Sequence, residues 1–150
     1  MDKIQLGDFV KSLIPEAEVK EGKQYIEITV PASKLHLTAK KLRESDETYF
    51  DYLISISGVD YGQELGVVYH LNSTRLGHIL VLKCRTSREN PNLDSVCDIW
   101  KCAEFLEREV YDLLGIKFNN HPDLRRLFLD SSWGFPLRKD YKDDINIVSK

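Results

Sequence analysis

A glutamate inside an apolar helical stripe, a histidine held before a proline and three cysteines are the side chains of this 150-residue sequence best suited to chemistry. Helical-wheel arithmetic puts Glu107 between Ala103, Val110 and Leu114, on a face that must be buried. A carboxylate there is costly unless it is paired with a cation or well hydrogen-bonded. The adjacent Arg125 and Arg126, or Arg138 and Lys139 next to Asp140, can supply that cation. A guanidinium fork on the carboxylate would pin the following segment onto the helix. This structural role is preferred to general acid–base work, because the sequence marks neither a pocket nor a substrate. His121 is the other catalytic candidate, with Asp112 or Asp123 as its partner. No Ser or Cys stands in a recognisable nucleophile elbow, and no second histidine stands at metal-ligand spacing. A hydrogen-bonded structural histidine is the expectation.

Cys84, Cys97 and Cys102 are odd in number and include no C-x-x-C pair. Without a secretory signal, that pattern argues against a disulfide framework and weakens a zinc or iron–sulfur reading. Cys97 and Cys102 both fall on an expected helix, about 140° apart around its axis, too divergent to clasp one ion easily. Buried or half-buried thiols are expected. There is also no Gly-x-Gly-x-x-Gly and no phosphate-binding loop, so dinucleotide binding by this chain alone is unsupported.

The elements that must position these residues are legible as periodicities. Leu6, Phe9, Val10, Leu13 and Ile14 have helical spacing, and Pro15 stops them. Gln24 to Val30 alternates as a strand ended by Pro31, after which Ser33 can cap a helix carrying Leu35, Ala39 and Leu42. Phe50 to Ile56, Leu65 to Leu71 and Ile79 to Arg85 read as three strands joined by turns, an antiparallel meander. A third helix is expected from a Ser95–Asp98 capping box to a stop at Gly115, with Val96, Ile99, Trp100, Leu106 and Leu113 in its stripe. On its polar face Phe105 stands among Lys101, Arg108 and Asp112, where an exposed aromatic ringed by charges is a common interface anchor.

The fold class expected is α+β: a mainly antiparallel sheet with helices packed on it, over residues 1–116. An irregular, extended C-terminal segment, 117–150, follows. It is rich in aromatics, which fits disorder badly and calls for a surface to lie on, its own sheet or another protein. That stretch holds seven Lys/Arg against five Asp/Glu, while the whole chain is at −3, so the charge pattern offers no case for nucleic acid. No apolar run approaches a membrane span, and the N-terminus lacks a signal-peptide pattern. The chain therefore reads as cytoplasmic, reaching a membrane only through partners.

The run Glu107-Arg108-Glu109-Val110-Tyr111-Asp112-Leu113-Leu114-Gly115-Ile116-Lys117-Phe118, then His121-Pro122-Asp123-Leu124-Arg125-Arg126, then Gly134-Phe135-Pro136-Leu137-Arg138-Lys139-Asp140-Tyr141, resembles a family signature. It is that of the respiratory complex I thirty-kilodalton subunit family, the C subunit of NADH:quinone oxidoreductase. Phe105 stands where the family often has Trp, Asn120 where Gly is common, and Phe128 where an aliphatic residue is usual. The resemblance implies a non-catalytic structural subunit in the peripheral arm of a proton-translocating NADH:quinone oxidoreductase, on the cytoplasmic side of the cell membrane. Its implied partners are the large D subunit of complex I, which lines the quinone site, and neighbouring peripheral-arm subunits. It implies no cofactor in this chain; the FMN, iron–sulfur clusters and quinone belong to the complex. The same signature suits equivalent subunits of membrane-bound nickel–iron hydrogenases, formate hydrogenlyases and deazaflavin-linked dehydrogenases. A free-standing enzyme using His121 is the alternative from a different class.

Overall fold

Asp2 opens the first helix, α1 (Lys3–Leu13), by a reciprocal capping box. Its carboxylate accepts from the Gln5 N–H at 2.8 Å, and the Gln5 side-chain oxygen accepts from the Asp2 N–H at 3.1 Å. The computed structural model describes residues 2–124. After α1 come β1 (Glu18–Glu21) and β2 (Ile26–Val30), a single 3-10 turn over Ala32–Lys34, and α2 (Leu35–Glu44). Three nine-residue strands follow: β3 (Tyr52–Asp60), β4 (Glu64–Asn72) and β5 (Ile79–Ser87). The described chain closes with β6 (Asn92–Asp94), α3 (Ala103–Leu114) and β7 (Lys117–Asn119).

The main sheet has the order β1-β2-β5-β4-β3. The β3-β4-β5 meander is antiparallel, as the turns between its strands predict, and β1 pairs antiparallel with β2. Only β2 with β5 is parallel in this sheet, so the α+β expectation of a mainly antiparallel sheet holds. Val30, Cys84, Val67 and Gly58 form one row across four strands, on the face that α3 covers. Ile26, Ile28, Leu71, Leu80, Leu82 and Tyr69 are buried with that row, together with Leu6 and Val10 of α1 and Leu35, Ala39 and Leu42 of α2. The opposite face carries charge: Glu27 pairs with Lys83 at 2.6 Å, and Arg85 lies 3.9 Å over the Tyr61 ring.

Four features depart from the sequence expectations. The third helix begins at Ala103, eight positions after Ser95, and Ser95 is not its cap. The reason is that the Ser95 hydroxyl and the Val96 N–H, which a helix start would use locally, both donate to Glu107. Ile99 and Trp100 then close a single turn on the Val96 carbonyl, and the Trp100 indole N–H reaches the Phe50 carbonyl at 2.9 Å. Ser33 likewise caps nothing; it sits inside the 3-10 turn that leads into α2. β1 gave no alternating signal because its side chains are exposed or half-buried throughout. Finally, Lys117–Asn119, the start of the expected extended segment, forms β7 in parallel with β6, with Phe118 in the core.

Candidate functional site

Glu107 is fully buried at the second turn of α3, as the stripe predicts. Burial pushes its carboxyl above the ordinary carboxylate range, against the pull of its hydrogen bonds. Those bonds come from the turn after β6. The Ser95 hydroxyl donates to Oε1 at 2.6 Å, the Val96 N–H to Oε2 at 3.0 Å, and the Cys97 thiol to Oε1 at 3.1 Å. Ser95 Oγ in turn accepts from the Cys97 N–H at 3.1 Å, which fixes the turn. The cations expected for Glu107, on Arg125, Arg126, Arg138 or Lys139, lie outside the described residues, as does Asp140. Among the described residues the carboxylate is satisfied by hydrogen bonds, the other solution to a buried acid.

His121 follows β7 and is half-buried against α3. Its Nε2 lies 2.8 Å from the Glu104 carbonyl, which can only accept, so Nε2 carries the proton. Nδ1 then accepts from the Asp123 N–H at 2.9 Å. These are the bonds of the hydrogen-bonded structural histidine. The fold nonetheless brings His121 to the glutamate: one ligand atom each of Cys97, Glu107 and His121 lie within 4.8 Å of one another. Cys97 and Cys102 do not share a helix, because Cys97 is in the turn and Cys102 precedes α3. The divergence argued from a common helix therefore does not apply to Cys97. Burial raises the Cys97 thiol to about 12, with Glu107 adding to the rise. Beneath the cluster, Tyr69 is fully buried and its hydroxyl has no hydrogen bond among the described residues. Burial, then the nearby Glu107, Cys84 and Cys97, holds that phenol well above its ordinary range.

The outer face of α3 divides. Phe105 is 48% exposed, as the wheel predicts for an aromatic on the polar side. Asp112, assigned by the same arithmetic to that face, is fully buried. A wheel sees only one helix and not what surrounds it in the fold. Arg108 and Glu109 are half-buried, and Asp123 is exposed. Sequence reading missed Ser95 and Cys97 as partners of Glu107; the departure of Glu107 from its stripe was the signal that donors had to exist, but not where.

Fold and site together define a class: a small two-layer α+β domain centred on a buried, hydrogen-bonded helical glutamate, with an aromatic left on the helix's outer face. The family model described as respiratory-chain NADH dehydrogenase, 30 Kd subunit, matches residues 28–145, and the chain belongs to that family. The combined C/D subunit of an NADH-quinone oxidoreductase from Phocaeicola vulgatus is 54% identical over 122 residues, covering 79% of this chain and 23% of the relative. The chain thus spans about a quarter of such combined relatives. Two solved structures share the fold at 27% identity. A chain of the membrane-bound sulfane sulfur reductase, an archaeal respiratory membrane complex, matches at TM-score 0.82 over 95% of this chain and 86% of its own. A trypsin-resistant fragment of Nqo5 matches at 0.67 over 81% and 98%.

Proposed function

We propose that this chain is a non-catalytic scaffold in the peripheral arm of a proton-translocating NADH:quinone oxidoreductase, docked on the large quinone-site subunit beside the quinone-reducing module. The observation that carries this reading is the 54% identity to a polypeptide named for the C and D subunits together. A region fused to its neighbour meets that neighbour at high effective concentration, so such fusions join parts that act in contact. The site is in keeping with a scaffold. Glu107 and His121 are engaged in bonds that join the turn after β6, α3 and the residues after β7, which is a positioning role. Phe105 is the docking anchor on this reading, with the segment from Arg125 to Asp140 continuing the contact. The FMN, iron–sulfur clusters and quinone belong to the partner subunits, and attachment to the cytoplasmic side of the membrane is through them. No described helix is long and apolar enough to cross a membrane.

The likeness to a chain of the sulfane sulfur reductase complex supports a second reading, the equivalent subunit of a related membrane complex with another electron donor or acceptor. One experiment separates the two. The tagged chain is drawn from native membranes in mild detergent and its companions are identified by mass. The quinone-site subunit together with a flavin- and iron–sulfur-bearing NADH module is the result expected. Hydrogenase- or sulfur-reductase-type subunits would keep the scaffold and replace the reaction, and recovery of the chain alone would overturn both. In the same assay Arg125→Ala with Arg126→Ala should reduce recovery of the quinone-site subunit.

A further inference from the structure

We infer that Cys97, Glu107 and His121 form a binding site for one divalent transition-metal ion of the zinc class. The site needs no companion protein, and it joins three pieces of chain distant in sequence: the turn after β6, the middle of α3 and the loop after β7.

Thiolate, imidazole and carboxylate are the donor set of zinc proteins, with bonds of about 2.0–2.3 Å. Around a tetrahedral ion, such bonds place ligand atoms roughly 3.3–3.8 Å apart. The three candidate atoms already lie within 4.8 Å of one another, and the Cys97 sulfur is 3.1 Å from Glu107 Oε1. Small side-chain rotations therefore close the site. A carboxylate offers about four lone-pair positions, so the Ser95 hydroxyl and the Val96 N–H can stay in place while the ion replaces the thiol proton. Those two donors orient the carboxylate, the usual support beneath a metal ligand. The thiol proton leaves to solvent as the thiolate binds. Nδ1 of His121 takes the ion by giving up the Asp123 N–H, while the Nε2–H continues to donate to the Glu104 carbonyl and holds the imidazole.

Three protein ligands leave a fourth position for water. The buried Tyr69 hydroxyl, close enough to sense Glu107 and Cys97, has no hydrogen bond among the described residues. A polar group orphaned in a core asks for a partner, and a water on the ion is one. Zinc is redox-inert, so the ion would be a clasp and not a further electron carrier.

Cobalt(II) is the probe, added to the purified full chain after chelator treatment. A saturable thiolate-to-cobalt charge-transfer band at one ion per chain, lost on adding zinc, is the expected result. Cys97→Ser and His121→Gln should abolish the band, while Cys102→Ser should keep it. Circular dichroism establishes that each variant is folded. X-ray absorption at the cobalt edge should show one sulfur among nitrogen and oxygen ligands. Absence of the band in the wild-type chain would overturn the site. So would a band that depends on Cys102 or survives His121→Gln.

Discussion

Removing the Glu107 carboxylate would strand the Ser95 hydroxyl and the Val96 N–H in a closed interior. Each buried donor left without a partner costs about 1–3 kcal/mol, so Glu107→Ala should lower the urea midpoint markedly. An unchanged midpoint would show that the carboxylate does not hold the turn. On the opposite face of the sheet, the hydrogen bond from Lys83 holds the Glu27 carboxyl below its ordinary value, against partial burial. A depressed folded pKa contributes stability above the unfolded pKa, and this is lost as pH falls through the folded value. Half-exposed pairs of this kind contribute about 0.2–1 kcal/mol. Lys83→Met should therefore be less stable than the wild type at neutral pH, and the gap should close in acid. A gap of constant size across pH would trace the effect to packing. The burial of Glu107 was legible because its position breaks a periodic pattern. Its partners were not, because they sit in a turn, and turns carry no periodicity. Asp112 misled for a related reason: one helix's geometry does not contain its neighbours.

At the scale of elements, α3 lies close against β3 at Gly58. A Cβ on Gly58 would come within 2.2 Å of Leu114 and 3.2 Å of Val110, so the missing side chain lets the helix lie on the strand. Gly58→Ala should cost about 1–3 kcal/mol as overpacking. Most of that cost should vanish in a Leu114→Ala background, which a double-mutant cycle of unfolding free energies measures. Additive effects would mean that the two positions do not meet. Strands β4 and β5 were readable from their β-branched and aromatic residues between turn-like segments. β3 was readable as a strand, but its apolar alternation pointed to the wrong face: Tyr52 and Ile54 are exposed and Leu53 and Ile56 are buried, with an irregularity between Leu53 and Ser55. The true start of α3 was not readable. Val96 and Trp100 have helical spacing and are buried, but they reach the core from a turn held by long-range hydrogen bonds. Helical spacing marks residues that share a side; it does not establish that a helix joins them.

For the whole molecule, the proposed scaffold role accounts for a domain of this size that buries acids and still shows an aromatic on α3: on that reading it must hold its shape and meet a neighbour. The sheet that provides the shape has an unequal history built into it. β3, β4 and β5 join neighbours in sequence, whereas the parallel seam pairs Ile26 with Leu80 and Val30 with Cys84 across roughly fifty residues of chain. Contacts between distant residues form late, because the loop must close before they give any return. Val67→Ala in β4 should therefore slow folding, while Val30→Ala in β2 should chiefly speed unfolding, as stopped-flow chevrons would report. Equal folding rates in the two variants would place the seam in the nucleus. During synthesis from the N-terminus, β2 emerges well before β5 exists. Until then Ile26, Ile28 and Val30 present an open strand edge to any other chain nearby, so the seam is where a growing chain is most exposed to mispairing.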